Sequence, residues 1–220
     1  MRAVIFDLWD TVAMWPLAEW GPVTEETRQQ LGLDADGFDR LWRETAQRRN
    51  TGPLRTALEE LGLGGEGLER LIDVRRDFTR RALVPVDGAV DTLHELKRRG
   101  LRLGLISVCT DEVVELWETT AFHRLFDDAV FSCEVGLSKP DPRIYHLACE
   151  RLGVEPAQAM FVGDGANDEL AGAAAVGMTA VLVLPPERDE PRWEEARGWQ
   201  PRVETVSDVL DLVDERSNGT

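Results

Sequence analysis

The amino-acid sequence predicts an α/β protein: a parallel sheet with helices on both faces and a small all-helical unit inserted after the first strand. Three features point to it. A short apolar run, Ala3-Val4-Ile5-Phe6, stops at Asp7, the pattern of a strand buried on both faces. From about residue 85 onward, strand-like and helix-like segments alternate, as crossover connections between parallel strands require. Residues 14–83 show helical periodicity and no convincing strand.

The insertion reads as four helical segments. Thr24 can cap the first, and Phe38, Leu41, Trp42 and Thr45 stripe the second. Leu54, Leu58 and Leu61 line a third that ends at Gly62, and Leu68, Leu71 and Ile72 open the last. Pro85 and Asp87-Gly88 close the unit, so the expected division is 1–13 with 84–220 for the core and 14–83 for a helical cap. Ala89, Val90, Leu93 and Leu96 then mark an amphipathic helix ending at Gly100, where a left-handed cap is cheap for glycine. Further strands are expected at Arg102–Ile106, Asp128–Phe131, Met160–Val162 and Thr179–Leu184. Helices are expected from Asp111 to Thr120, from Ile144 to Leu152 before Gly153, and from Asp168 to Val176 before Gly177. Residues 187–201 read as a surface loop and 207–214 as a final helix.

Of the 220 residues, 43% are hydrophobic and 30% charged, which suits a packed globular chain. The formal net charge of −16 argues against nucleic acid or an anionic membrane as partner. An anionic substrate would need a site that supplies its own positive charge, and lysine is scarce: Lys97 and Lys139 alone. Cys109, Cys133 and Cys149 are odd in number and lack metal-site spacing, as reduced thiols of a cytoplasmic protein would. Met1 is followed by no basic segment with a long apolar stretch, and no run approaches the ~18 apolar residues of a membrane span. The expectation is a cytoplasmic chain without a leader; oligomeric state is not legible.

In an open parallel sheet, ligands bind beyond the C-terminal ends of the strands. The first strand delivers Asp7, Trp9, Asp10 and Thr11 there, and the second delivers Ser107. Lys139 sits in the loop before the Ile144 helix, and Gly163, Asp164 and Asp168 follow the fourth strand. Asp7 and Asp164, with a backbone carbonyl from the loop after the first strand, offer hard oxygen ligands suited to octahedral Mg²⁺. A bound cation would let Asp7 approach a phosphorus that otherwise repels it. Lys139 can hold a phosphoryl oxygen, and Ser107 Oγ with the backbone N–H of Val108 can bind another. The expected partner is a small phosphorylated metabolite.

The same residues carry a family resemblance. Phe6-Asp7-Leu8-Trp9-Asp10-Thr11-Val12, Leu105-Ile106-Ser107, Gly136-Leu137-Ser138-Lys139-Pro140-Asp141-Pro142 and Val162-Gly163-Asp164-Gly165-Ala166-Asn167-Asp168 resemble, in order, the four motifs of the haloacid dehalogenase (HAD) superfamily. The resemblance spans nearly the whole chain. It implies a modified Rossmann-like core with a helical cap after the first strand, and an aspartyl-phosphoryl intermediate on Asp7. It further implies Mg²⁺ held by Asp7, the Trp9 backbone carbonyl and Asp164, with Asp168 orienting the metal's water or Lys139, and Thr11 and Ser107 beside the substrate.

One position departs from the pattern. Family phosphatases carry a second Asp two residues after the nucleophile, which protonates the leaving group and later activates water; here it is Trp9. An indole donates a hydrogen bond but does not titrate, so assistance worth roughly 10²–10⁴ in rate is missing. Asp10, one residue on, is expected to point elsewhere. The foremost reading is a phosphatase that handles activated leaving groups, or that recruits an acid from the cap or the substrate. A non-catalytic relative that binds a phosphorylated ligand or a protein is the alternative from another class. A 2-haloacid dehalogenase is a further one, disfavoured by Asp164. A phosphonoacetaldehyde hydrolase is set aside, because residues 14–84 contain no lysine.

Overall fold

The computed structural model describes residues 1–186 and 189–218. Among these, strand β1 (Ala3–Phe6) is followed by five helices: α1 (Leu17–Leu31), α2 (Ala35–Glu44), α3 (Ala46–Asn50), α4 (Leu54–Glu60) and α5 (Gly65–Ala82). Helix α6 (Ala89–Arg98) returns the chain to β2 (Arg102–Ser107), and α7 (Asp111–Trp117) leads to β3 (Asp128–Phe131). Next come α8 (Ser132–Val135), α9 (Pro142–Leu152), β4 (Ala159–Gly163), α10 (Glu169–Ala175), β5 (Thr179–Val183), β6 (Arg202–Val203) and α11 (Val209–Asn218).

All paired strands are parallel, in the order β3-β2-β1-β4-β5-β6. The side chains of β1 divide between two cores. Val4 and Phe6 join Leu93, Leu96 and Val113 on one face, whereas Ala3 and Ile5 join Ile144, Tyr145 and Ala173 on the other. Strict alternation in a run apolar at every position is what a sheet covered on both faces demands. The chain builds outward from β1 through β2 to β3, then crosses to β4 on the opposite side. The ends of β1 and β4 therefore flank the point where strand order reverses, the usual seat of a ligand in such sheets.

The expected elements are present, with corrections. The insertion has five helices rather than four, because a separate α3 follows the break at Thr45. Thr24 caps nothing: it lies inside α1, its hydroxyl donating to the Gly21 carbonyl at 2.8 Å, and Pro16 takes the cap position. Strand β6 was not expected, since two residues carry no readable period. The stretch expected as a surface loop folds back from residue 189 onward; Glu187 and Arg188 lie outside the described residues. Ala196 is buried, and Trp199 Nε1 donates to the Ala180 carbonyl at 3.1 Å.

The insertion packs around its own leucines, Leu54, Leu58, Leu68 and Leu71 among them. It meets the core through a buried ion pair, Arg75 of α5 with Glu112 of α7 at 2.6 Å, and through an aromatic cluster of Trp15, Trp20 and Phe78 against Trp9.

Candidate active site

Three strand ends set the site. The Asp7 amide donates to the Val162 carbonyl at 2.8 Å, which locks the residue after β1 beside β4. Asp7 is buried, and its carboxylate accepts from Lys139 Nζ. The same ammonium donates to Glu169, which is wholly buried. Carboxylate oxygens of Asp7, Asp164 and Glu169 all lie within 4.8 Å of one another.

Two glycines make room for this arrangement. A Cβ on Gly163 would stand 2.1 Å from Glu169 Oε1, and one on Gly165 would stand 2.3 Å from the Ala196 Cβ. Gly165 also has φ +89°, a backbone state costly for other residues. Its amide donates to Glu169 Oε1 at 2.9 Å, fixing the carboxylate that holds Lys139.

Electrostatics follow from burial. Desolvation, reinforced by the neighbouring Asp7, pushes Asp164 up to about 6. Desolvation raises Asp7 as well, against the attraction of Lys139, and pushes Glu169 up to about 8. Burial disfavours the Lys139 ammonium, but Asp7 and Glu169 outweigh it and hold its pKa above the ordinary value. Three carboxylates against one ammonium leave an excess of negative charge in a dry site. That excess, in an all-oxygen donor set, fits a hard divalent cation.

Other expected residues fall in different places. Thr11 and Ser107 are buried, and neither Thr11 Oγ1 nor Ser107 Oγ has a hydrogen-bond partner. Val108, rather than Ser107, lines the adjoining cavity of about 300 Å³. Asp168 does not reach Lys139: it is exposed, with φ +55° following Asn167 at φ +53°. Two consecutive left-handed residues turn its side chain outward and bring Glu169 inward at the head of α10. The signal for Glu169 was present. It begins a helix, Glu169-Leu170-Ala171-Gly172-Ala173-Ala174-Ala175, whose buried positions Gly172 and Ala173, three and four residues on, share its face.

Trp9 is half-buried and lines the cavity, its ring centroid 4.8 Å from that of Trp15 in an edge-to-face contact. Asp10, at φ +53°, is buried at the cavity wall rather than turned away from it. Its carboxylate accepts from the Trp15 amide at 3.2 Å and pairs with Arg192 at 3.2 Å. Sequence reasoning missed Arg192 and Trp193. Trp193 Nε1 donates to Asp164 Oδ2 at 2.7 Å, and no local pattern announces a contact made across 29 residues.

Comparison with known proteins identifies the family. A family profile described as haloacid dehalogenase-like hydrolase matches residues 1–176, and the chain belongs to that family of hydrolases. Among curated relatives, a glyceraldehyde 3-phosphate phosphatase of Methanothermobacter thermautotrophicus is 38% identical over 104 residues, 46% of this chain and 45% of that one. The chain thus aligns with less than half of that relative's length. Phosphatase MT3486 of Mycobacterium tuberculosis is 31% identical over 196 residues, covering 83% of this chain and 87% of the relative. A HAD phosphatase structure from Thermococcus onnurineus superposes with a TM-score of 0.69 at 22% identity, covering 97% of this chain and 98% of that one. A 2-haloacid dehalogenase from Pseudomonas syringae also gives 0.69, at 23% identity, covering 98% and 99%. At such identities the two structures establish the fold alone. No helix among the described residues is long and apolar enough to cross a membrane.

Proposed function

We propose that this chain is a Mg²⁺-dependent phosphatase that acts on a small phosphorylated metabolite through an aspartyl-phosphate on Asp7, with residues 14–83 serving as the cap. The observation that carries the reading is Lys139 bridging Asp7 and Glu169 beside Asp164, at the reversal of strand order. The phosphatases among its relatives support it. Cys109 and Cys149 are buried thiols, which a cytoplasmic setting would keep reduced.

Asp7 supplies the nucleophilic oxygen. It attacks phosphorus in line, the bond to the leaving oxygen breaks, and a second attack by water releases phosphate and restores the carboxylate. Lys139 keeps Asp7 ionised and aimed, and offers its remaining proton donor to a phosphoryl oxygen. The Val108 amide would serve the other phosphoryl oxygens at the cavity, with the unpartnered hydroxyls of Thr11 and Ser107 buried behind it as further donors once the site rearranges around substrate. Asp7, Asp164 and the Trp9 carbonyl, with Glu169 alongside, would hold Mg²⁺, which supplies charge neutralisation to an anionic substrate. Glu169 takes the positioning role first assigned to Asp168. Trp9 supplies no proton, and Asp10 is engaged by Arg192 and the Trp15 amide, so departure depends on the leaving group itself.

The test is phosphate release from acetyl phosphate and p-nitrophenyl phosphate, with Mg²⁺ and after chelation. Turnover that requires Mg²⁺ supports the reading. Absence of turnover by folded protein transfers it to a non-catalytic binding protein, which the indole at position 9 favours. Chloride release from 2-chloropropionate without added metal would make it a dehalogenase.

A further inference from the structure

Three arginines of the insertion, Arg48, Arg49 and Arg55, differ in their surroundings. Arg48 pairs with Glu60 at 2.7 Å and Arg55 with Glu69 at 2.6 Å, both in exposed surroundings. Arg49 does neither. It is only 5% exposed, its guanidinium carbon lies 3.5 Å from the centroid of the Trp42 ring, and it donates to the Trp42 carbonyl at 2.7 Å and to Thr45 Oγ1. Among the described residues no carboxylate pairs with it. Burial, together with repulsion from Arg75, lowers its pKa to about 10.

Arg75 lines the same cavity, also 5% exposed. Glu112 balances its charge, but Nη1 is buried with no hydrogen-bond partner. Two guanidiniums against one carboxylate leave this wall positive. Asp7, Lys139 and Asp164 line the same cavity, as do Trp9, Trp15 and Trp20. A buried, uncompensated cation is costly to the fold, and costlier still with an orphaned donor beside it. Both defects are relieved by one anion bound between the two side chains.

We propose that Arg49 and Arg75 form a receptor for a second anionic group on the substrate, so that the natural substrate is a small phosphorylated diacid. Its phosphoryl group meets Asp7 and Lys139, and its second anion, a carboxylate or another phosphate, meets the guanidiniums of α3 and α5. This rests on the phosphatase reading above for which end reacts. The volume of about 300 Å³ suits a metabolite of a few carbons. In a chain of net charge −16, these two arginines also give the cap wall the positive sign an anionic ligand needs.

Two substrate pairs test the proposal, each pair differing by one anion: 3-phosphoglycerate against glycerol 3-phosphate, and fructose 1,6-bisphosphate against fructose 6-phosphate. Wild type, Arg49→Gln and Arg49→Lys are compared by kcat/KM. The expected result is a preference of at least about tenfold for the diacid in one pair, since a charge-assisted contact is worth at least that. Arg49→Gln should erase most of that preference, chiefly through KM, and Arg49→Lys should restore part of it. The pair that responds tells carboxylate from phosphate. Equal treatment of both members of both pairs by wild type overturns the proposal, as does a loss in Arg49→Gln that is the same for both members. Calorimetric binding of the same four compounds to Asp7→Asn separates the two readings. Discrimination in binding with no turnover of acetyl phosphate by wild type keeps the anion receptor and rejects the phosphatase; no discrimination in binding rejects the receptor whatever the turnover.

Discussion

At Trp9, chemistry and packing pull in different directions. The indole packs edge-on to Trp15 and helps seat the insertion on the core, but it stands where a titratable acid would serve. Trp9→Asp should therefore raise kcat on an alkyl phosphate such as glycerol 3-phosphate by about 10²-fold, with a smaller gain on acetyl phosphate, whose leaving group needs no proton. Steady-state kinetics on the two substrates checks this. A wild-type kcat near the ordinary ~10 s⁻¹ on the alkyl phosphate would contradict it. Glu169 and Asp168 make a second pair of residues to compare. Glu169 holds Lys139 within the buried cluster, whereas Asp168 is exposed. Glu169→Gln should weaken Mg²⁺ binding by about 10–100-fold, and Asp168→Asn by much less, as read by calorimetric titration.

Helix α5 reaches the core through one buried ion pair. Arg75 and Glu112 are both almost fully buried, so removing either partner strands the other's charge. Glu112→Ala is expected to cost about 3–5 kcal/mol in urea denaturation, while a variant replacing both by apolar residues of similar volume should recover most of it. Most elements of the core were legible, because their apolar runs and terminal glycines are local signals: Ala3–Phe6 reads as buried at every position, and Gly153 and Gly177 end α9 and α10 with φ +65° and +93°. The break between α2 and α3 at Thr45 was not, since no glycine or proline marks it. Nor was the return of residues 192–199 to the site, which depends on Trp193 finding Asp164 and Trp199 finding Ala180. Asp7, Lys139 and Asp164 were visible as polar residues at strand ends. Glu169 was passed over for its neighbour because two left-handed residues displace the helix start by one position.

Across the whole molecule, burial of acids in one place couples folding to pH. Asp164 is pushed up to about 6 and Glu169 up to about 8, both above their unfolded values. The folded state therefore binds more protons than the unfolded one, and stability without metal should decline as pH rises from about 4 towards about 8. A divalent cation prefers the ionised carboxylates, so its stabilising effect should grow over the same range. Denaturation curves at the two ends of that window, with Mg²⁺ and with chelator, check both signs. A metal-free stability that rises through the window would show that these carboxyls are not held protonated by burial.

The central claim is that Asp7 becomes phosphorylated. Borohydride reduction of protein quenched during turnover of acetyl phosphate, followed by peptide mass spectrometry, tests it directly. The account predicts reduction of residue 7 to homoserine in wild type with Mg²⁺ and no such product from Asp7→Asn, which should also lack turnover. Equal turnover by Asp7→Asn would contradict it.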